Sequence, residues 1–174
     1  MWQSLPNEGI QMATAPREKR HRLPAAAYVG ARRVSMTACV AGRTRLFASP
    51  ELVDVFATLL IACADRHDCD VVVYCFMPDH LHVVMAGRCE RSNCKRAFED
   101  FKYETGLWLA RTGSGASWQK DYHDHILRER EDWLTHVRYI LANPVRAGIA
   151  AEPDEYLGSG SSLYAVRELL GGLV

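Results

Sequence analysis

Two histidines one residue apart, His80 and His82, interrupt an otherwise apolar stretch, Tyr74-Cys75-Phe76-Met77-Pro78-Asp79-His80-Leu81-His82-Val83-Val84-Met85. The residues before them, Val71 to Phe76, are β-branched and aromatic and read as a buried strand. Pro78 ends it, because proline lacks the N–H that a ladder needs and fixes φ. His80 to Met85 then reads as a second strand. Side chains alternate faces along a strand, so His80, His82 and Val84 share one face and Leu81 and Val83 the other. Two imidazoles thus stand side by side in an apolar setting. Burying two titratable rings is costly unless something satisfies them, and a metal ion does so well. Two ligands do not close a structural zinc site, which takes four, so an open site with positions left for substrate oxygens fits better. The plainer alternative is a pair of packed, hydrogen-bonded rings.

A second group of chemically able residues lies near the C-terminus. Glu131 to Ala142 has the period of a helix, with Trp133, Leu134, Val137, Ile140 and Leu141 on one apolar stripe. Tyr139 falls almost opposite that stripe; Asn143 is about 40° round from it, and His136 is on the same flank. Pro144 cannot continue the helix, and Gly148 marks the exit. A phenol can attack a phosphodiester and hold the cut end as a phosphotyrosine. Its ordinary pKa near 10 makes that hard unaided. A divalent ion on the scissile phosphate stabilises the transition state, and two imidazoles with one amide oxygen leave room for that phosphate. Mg²⁺ or Mn²⁺ would suit, although imidazole is a softer ligand than Mg²⁺ prefers.

Rival groups exist. Tyr103 and Tyr122 are further phenols, but neither is followed one turn on by an amide and a helix stop. His123 and His125 form a second His-x-His pair around Asp124, available to a second ion, to DNA, or simply to a strand edge. Basic residues crowd one end: Met1 to Arg45 carries eight against two acidic, and the remainder thirteen against nineteen. Arg17, Lys19, Arg20 and Arg22 are candidate phosphate contacts, as are Arg88, Lys95 and Arg96, with Arg91 and Lys102 beside them. Ordinary solvated faces would look the same.

The elements that must position these groups follow from the pattern. Residues 1–21 form a polar, basic lead-in without a clear period, read as flexible, and 22–174 a single domain. Val34 to Val40 alternates as a strand, and Ala41 to Thr44 is a turn. Ser49 caps a helix that begins at Pro50 and runs to Arg66, with Leu52, Val55, Phe56, Leu59 and Leu60 as its stripe. Ser92 begins a second helix to about Ala110; Trp118 to Leu127 holds a short strand; Ser161 to Leu170 forms a closing helix. The order strand, helix, strand, strand, helix, strand, helix predicts an α+β sandwich of ferredoxin-like type, a small antiparallel sheet with helices packed on it. A chain of 174 residues, 48% hydrophobic with zero net charge, suits one globular domain. No membrane span and no export signal are legible, and six cysteines without a CxxC pair read as reduced thiols, so the expectation is a cytoplasmic protein.

Two of these segments together resemble a known family. Tyr74 to Val84 is similar to the His-hydrophobe-His segment of the IS200/IS605-like single-tyrosine (HUH-type) transposases. Tyr139-Ile140-Leu141-Ala142-Asn143-Pro144-Val145-Arg146-Ala147-Gly148 resembles the Tyr-Ile-x-x-Asn-Pro-Val-x-x-Gly segment of the branch associated with repetitive extragenic palindromes. Arg22-Leu23-Pro24, Trp118, His123 to Arg128 and Ser161-Ser162 also fall where that branch has similar residues, so the likeness covers roughly Arg22 to Tyr164. The resemblance implies that His80 and His82 ligate a metal, that Asn143 is a third, amide-type ligand, and that Tyr139 is the nucleophile. It implies metal-dependent nicking and rejoining of single-stranded DNA beside a hairpin, through a covalent 5′-phosphotyrosine and without ATP, by a monomer or a homodimer. Two other readings stay open on the residues alone: a DNA-hairpin binder that does not cut, and a metal-dependent phosphoesterase that uses water.

Overall fold

The computed structural model describes residues 23–128 and 133–171. Its centre is a five-stranded antiparallel sheet in the order β4-β1-β3-β2-β5. The strands are β1 (Arg33–Val40), β2 (Cys69–Met77), β3 (His80–Gly87), β4 (Trp118–Leu127) and the two-residue β5 (Ser159–Gly160). The helices are α1 (Pro50–Arg66), α2 (Cys94–Arg111), α3 (Trp133–Leu141), α4 (Asn143–Arg146) and α5 (Val166–Gly171). The first four strands with α1 and α2 give βαββαβ with order 4-1-3-2, which is the ferredoxin-like arrangement expected.

Alternation along the strands divides the interior in two. On one face Val34, Met36, Leu81, Val83, Met85 and Phe76 pack with α1 and α2 in an aromatic core that includes Phe56, Phe98 and Phe101. On the other face Val73, Cys75, Met77, Val84 and Leu127 pack with Val137, Ile140 and Leu141 of α3 and Leu169 of α5. The Arg33 guanidinium lies 4.9 Å from the Trp133 ring centroid and ties the start of α3 to β1. His80 and His82 stand on this second face, because their neighbours Leu81 and Val83 face the first.

The local signals act as their chemistry suggests. Ser49 Oγ accepts from the Leu52 N–H at 3.4 Å, and Pro50 occupies the first turn of α1. Three expectations need correction. The cap of α2 is Asn93, whose side chain accepts from the Arg96 N–H at 3.0 Å. Ser92 is instead buried and donates to the Asp68 carbonyl at 2.6 Å. The stripe of α1 runs through Val53, Phe56, Ala57, Leu60, Cys63 and Ala64, leaving Val55 at 40% exposure on the outer side. The closing helix is shorter than expected, because Ser161 and Ser162 hydrogen-bond the Val71 backbone and extend the β5 contact instead. Glu131 lies outside the described residues. All six cysteines are free, four of them buried. No described helix is long and apolar enough to cross a membrane.

Candidate active site

A two-residue loop, Pro78-Asp79, joins β2 to β3, with Met77 opposite His80. Two-residue hairpins usually take primed turns with positive φ, but proline cannot, and neither loop residue has positive φ. The turn is held from outside. The Val40 N–H donates to the Asp79 carbonyl and the Phe47 N–H to the Pro78 carbonyl, each at 2.9 Å. Asp79 therefore carries its carboxylate into the site at the very start of β3.

The two imidazoles meet. His80 Nε2 and His82 Nε2 are 3.1 Å apart, with ring centroids at 4.7 Å and planes at 86°. Both remaining ring nitrogens are engaged: His80 Nδ1 with Asp79 Oδ1 at 2.5 Å, and His82 Nδ1 with Thr37 Oγ1 at 2.9 Å. Thr37 reaches His82 because β1 pairs with β3 in the register Thr37↔His82. Burial first, then the nearby charges of His80 and His136, push the His82 imidazole down to about 4. It is therefore neutral near pH 7, the form that ligates a metal. For Asp79, burial pulls upward, but the His80 hydrogen bond and the charges of His80 and Arg43 outweigh it and hold the carboxyl below its ordinary value.

These distances suit a cation. Two nitrogen ligands about 2.1 Å from one ion at a right angle would lie about 3.0 Å apart. Among the described residues no three His, Cys, Asp or Glu side chains gather into a metal-holding group. Asn143 Nδ2 donates to the Tyr139 carbonyl at 3.2 Å and the Ile140 carbonyl at 3.1 Å. That leaves Oδ1 as the acceptor not used by the helix.

Tyr139 is 53% exposed on α3, opposite the buried Val137, Ile140 and Leu141, as the helical arithmetic predicts. Neither histidine hydrogen-bonds it. Its ring instead carries the Arg146 guanidinium, 4.5 Å from the centroid. His136, on the same flank of α3, places Nε2 2.9 Å from Ser35 Oγ of β1. The helix that bears the phenol is thus seated on the histidine face, and the phenol itself is solvent-facing. Tyr103 is 67% exposed on α2, across the sheet. Tyr122 is buried against Phe98, with ring centroids 5.0 Å apart.

The described basic candidates, Arg88, Lys95 and Arg96, fall elsewhere. Arg17, Lys19, Arg20 and Arg22 lie outside the described residues. Arg88 follows the far end of β3 and pairs with Asp65 at 2.8 Å and Asp70 at 3.9 Å. Lys95 pairs with Glu99 at 3.3 Å on α2, and Arg96 is on that same helix, over the face opposite the histidines. Lys102 donates to the Gln119 carbonyl at 2.9 Å. Sequence reading assigned no role to Asp79, Thr37 or Arg146. Asp79 was signalled by adjacency to His80, whereas Thr37 emerges only from cross-strand register. A separate cleft of about 420 Å³, lined by Phe47, Pro50, Val53, Ile149, Tyr156 and Leu157 among others, includes none of the site residues.

No family model matches the sequence, and no curated protein matches it. Solved structures do. A REP-associated tyrosine transposase bound to a REP hairpin superimposes with a TM-score of 0.68 at 18% identity, covering 89% of this chain and 87% of that one. A Deinococcus radiodurans protein assigned as a transposase covers 76% of this chain and 98% of its own at 17% identity, with a TM-score of 0.46, too distant to argue from. On the first of these likenesses, the chain has the fold of the REP-associated tyrosine transposase.

Proposed function

We propose that this protein is a divalent-metal-dependent endonuclease and strand transferase of single-stranded DNA, acting beside hairpins through a covalent 5′-phosphotyrosine. One observation carries the reading: two Nε2 atoms 3.1 Å apart with both Nδ1 atoms already engaged, on the sheet face that seats α3. The likeness to a transposase bound to a REP hairpin supports DNA as the substrate class. His80 and His82 would hold Mg²⁺ or Mn²⁺, with Asn143 Oδ1 as third ligand. An ion there supplies charge stabilisation to a scissile phosphate and leaves its other positions to phosphate oxygens.

The chain's own residues do the rest. Tyr139 Oη attacks phosphorus and gives up its proton to water. The P–O3′ bond breaks, the departing 3′-oxygen takes a proton, and the 5′-phosphate stays on the tyrosine. One ester replaces another, so no ATP is consumed. A 3′-hydroxyl from another strand then reverses the exchange and frees the phenol. Arg146, stacked on the Tyr139 ring, restrains the nucleophile and brings a positive charge to the approaching phosphate.

The test is incubation with hairpin-bearing single-stranded DNA and Mn²⁺, followed by denaturing electrophoresis. A protein–DNA adduct should form in the parent and fall by at least about a thousandfold in Tyr139→Phe, which removes the attacking oxygen. Hairpin binding without an adduct at any Mn²⁺ or Mg²⁺ level would instead indicate a non-cleaving hairpin-binding regulator. Cleavage unaffected by Tyr139→Phe would indicate a water-using phosphodiesterase.

A further inference from the structure

A histidine can ligate through Nε2 only if that nitrogen is bare, and the partner of Nδ1 decides this. The two rings differ in that partner. Asp79 is a carboxylate and only accepts, so His80 Nδ1 carries the hydrogen and, in the neutral ring, Nε2 is the bare nitrogen. Thr37 has a hydroxyl, which both donates and accepts, so it tolerates either tautomer of His82. With both rings neutral, the 3.1 Å contact takes the His82 Nε2–H pointing at the bare His80 Nε2. His80 is the fixed member of the pair and His82 the adjustable one.

Asp79 is itself fixed. Its Oδ2 accepts from Arg43 at 3.3 Å, and its own carbonyl and that of Pro78 are both held by N–H groups from 40–47. Arg43 has φ of +56° and follows Gly42 at +63°, a left-handed pair in the segment whose Arg43 side chain reaches Asp79. A non-glycine residue in that region is uncommon and costs free energy unless its surroundings impose it. The segment after β1 is thus shaped around the turn before His80.

We propose that Asp79, buttressed by Arg43, is the positioning residue that sets the metal-binding tautomer of His80 and makes the histidine pair a preorganised cation site. This rests on the reading of His80 and His82 as metal ligands given above. Asp79→Asn preserves shape and turn preference but lets the side chain donate as well as accept, so the tautomer is no longer imposed. Loss of a partner of this kind lowers metal affinity by roughly 10- to 100-fold. Arg43→Ala should act in the same direction by less, about two- to fivefold, because that link is solvent-exposed.

The experiment is Mn²⁺ titration of the full chain without DNA, followed by electron paramagnetic resonance, for the parent, His80→Ala, Asp79→Asn and Arg43→Ala. The expected order of affinity is parent, Arg43→Ala, Asp79→Asn, His80→Ala, with thermal unfolding nearly unchanged for the middle two. Asp79→Asn within about threefold of the parent would overturn the assignment to Asp79 while leaving the metal site intact. A parent that binds no Mn²⁺ at the histidines would overturn the metal reading and this one with it. Nitrogen-15 NMR of the metal-free parent, which needs no variant to fold, should show His80 protonated at Nδ1; protonation at Nε2 would sink the proposal directly.

Discussion

The chain carries two His-x-His pairs on one face of one sheet, and the two stand in different surroundings. His80 and His82 are on β3, flanked by β1 and β2; His123 and His125 are on the edge strand β4. The pairs even share a neighbour, since Thr37 of β1 lies opposite His82 on one side and His123 on the other. Yet the Thr37 hydroxyl is engaged with His82. Its counterpart on β4 is exposed, as is His125. The residue between each pair differs as well. Leu81 is buried in the aromatic core and anchors its strand. Asp124 accepts a hydrogen bond from Tyr28 on the same opposite face. Spacing puts two rings on one side of a strand. Whether their Nε2 atoms become a cation site depends on what occupies the other nitrogens and on how far water is excluded.

The largest effect that would sharpen this contrast is on metal affinity. His80→Ala or His82→Ala should weaken Mn²⁺ binding by roughly a thousandfold, about 4 kcal/mol, and abolish adduct formation. Stability against pH should separate the pairs next. The folded His82 titrates at about 4 against an ordinary 6.5, so between those values the unfolded chain holds a proton that the folded chain does not. Its contribution is complete above pH 6.5, is lost as pH falls toward 4, and falls no further below that. It amounts to at most about 3 kcal/mol. Urea unfolding of metal-free protein at pH 7, 5.5 and 4.5 should show this slope flattened in His82→Gln and retained in His123→Gln. An unchanged slope in His82→Gln would mean that burial is not what keeps this ring neutral.

The ferredoxin-like order was readable because it rests on local patterns: alternation in β1, the Pro78 break between β2 and β3, and the Ser49-Pro50 start of α1. The same-face placement of His80 and His82 followed from a period of two, and the outward aspect of Tyr139 from a period of 3.6. What escaped depends on partners distant in sequence. Val55 and Val53 are equally apolar, and only docking against the sheet buries Val53 and exposes Val55. Arg88 pairs with Asp65 and Asp70, partners that no local pattern in the sequence brings beside it. Thr37 is 45 residues from His82, and no spacing rule joins them without the register of β1 on β3.

Thr37 offers a finer cut between the pairs. Thr37→Val keeps the shape and removes the acceptor that His82 Nδ1–H needs once its Nε2 faces a cation. Leaving a buried N–H unpaired costs about 1–3 kcal/mol, so Mn²⁺ affinity should fall about tenfold while metal-free stability changes less.

His123→Ala is the smallest expected change and the most searching. An exposed ring on an edge strand, with the shared hydroxyl already engaged by His82, has little to lose, so Mn²⁺ affinity and adduct yield should stay within about threefold of the parent. Suppose instead that His123→Ala weakened Mn²⁺ binding as much as Thr37→Val does. Thr37 would then be relaying between the strands, its hydroxyl answering to both rings. The two pairs would be one site spread across β1, and exposure would be no guide to which histidine takes part. Combining the two substitutions separates these cases: losses that multiply mark independent sites, and a double variant no worse than either single one marks a shared path through Thr37.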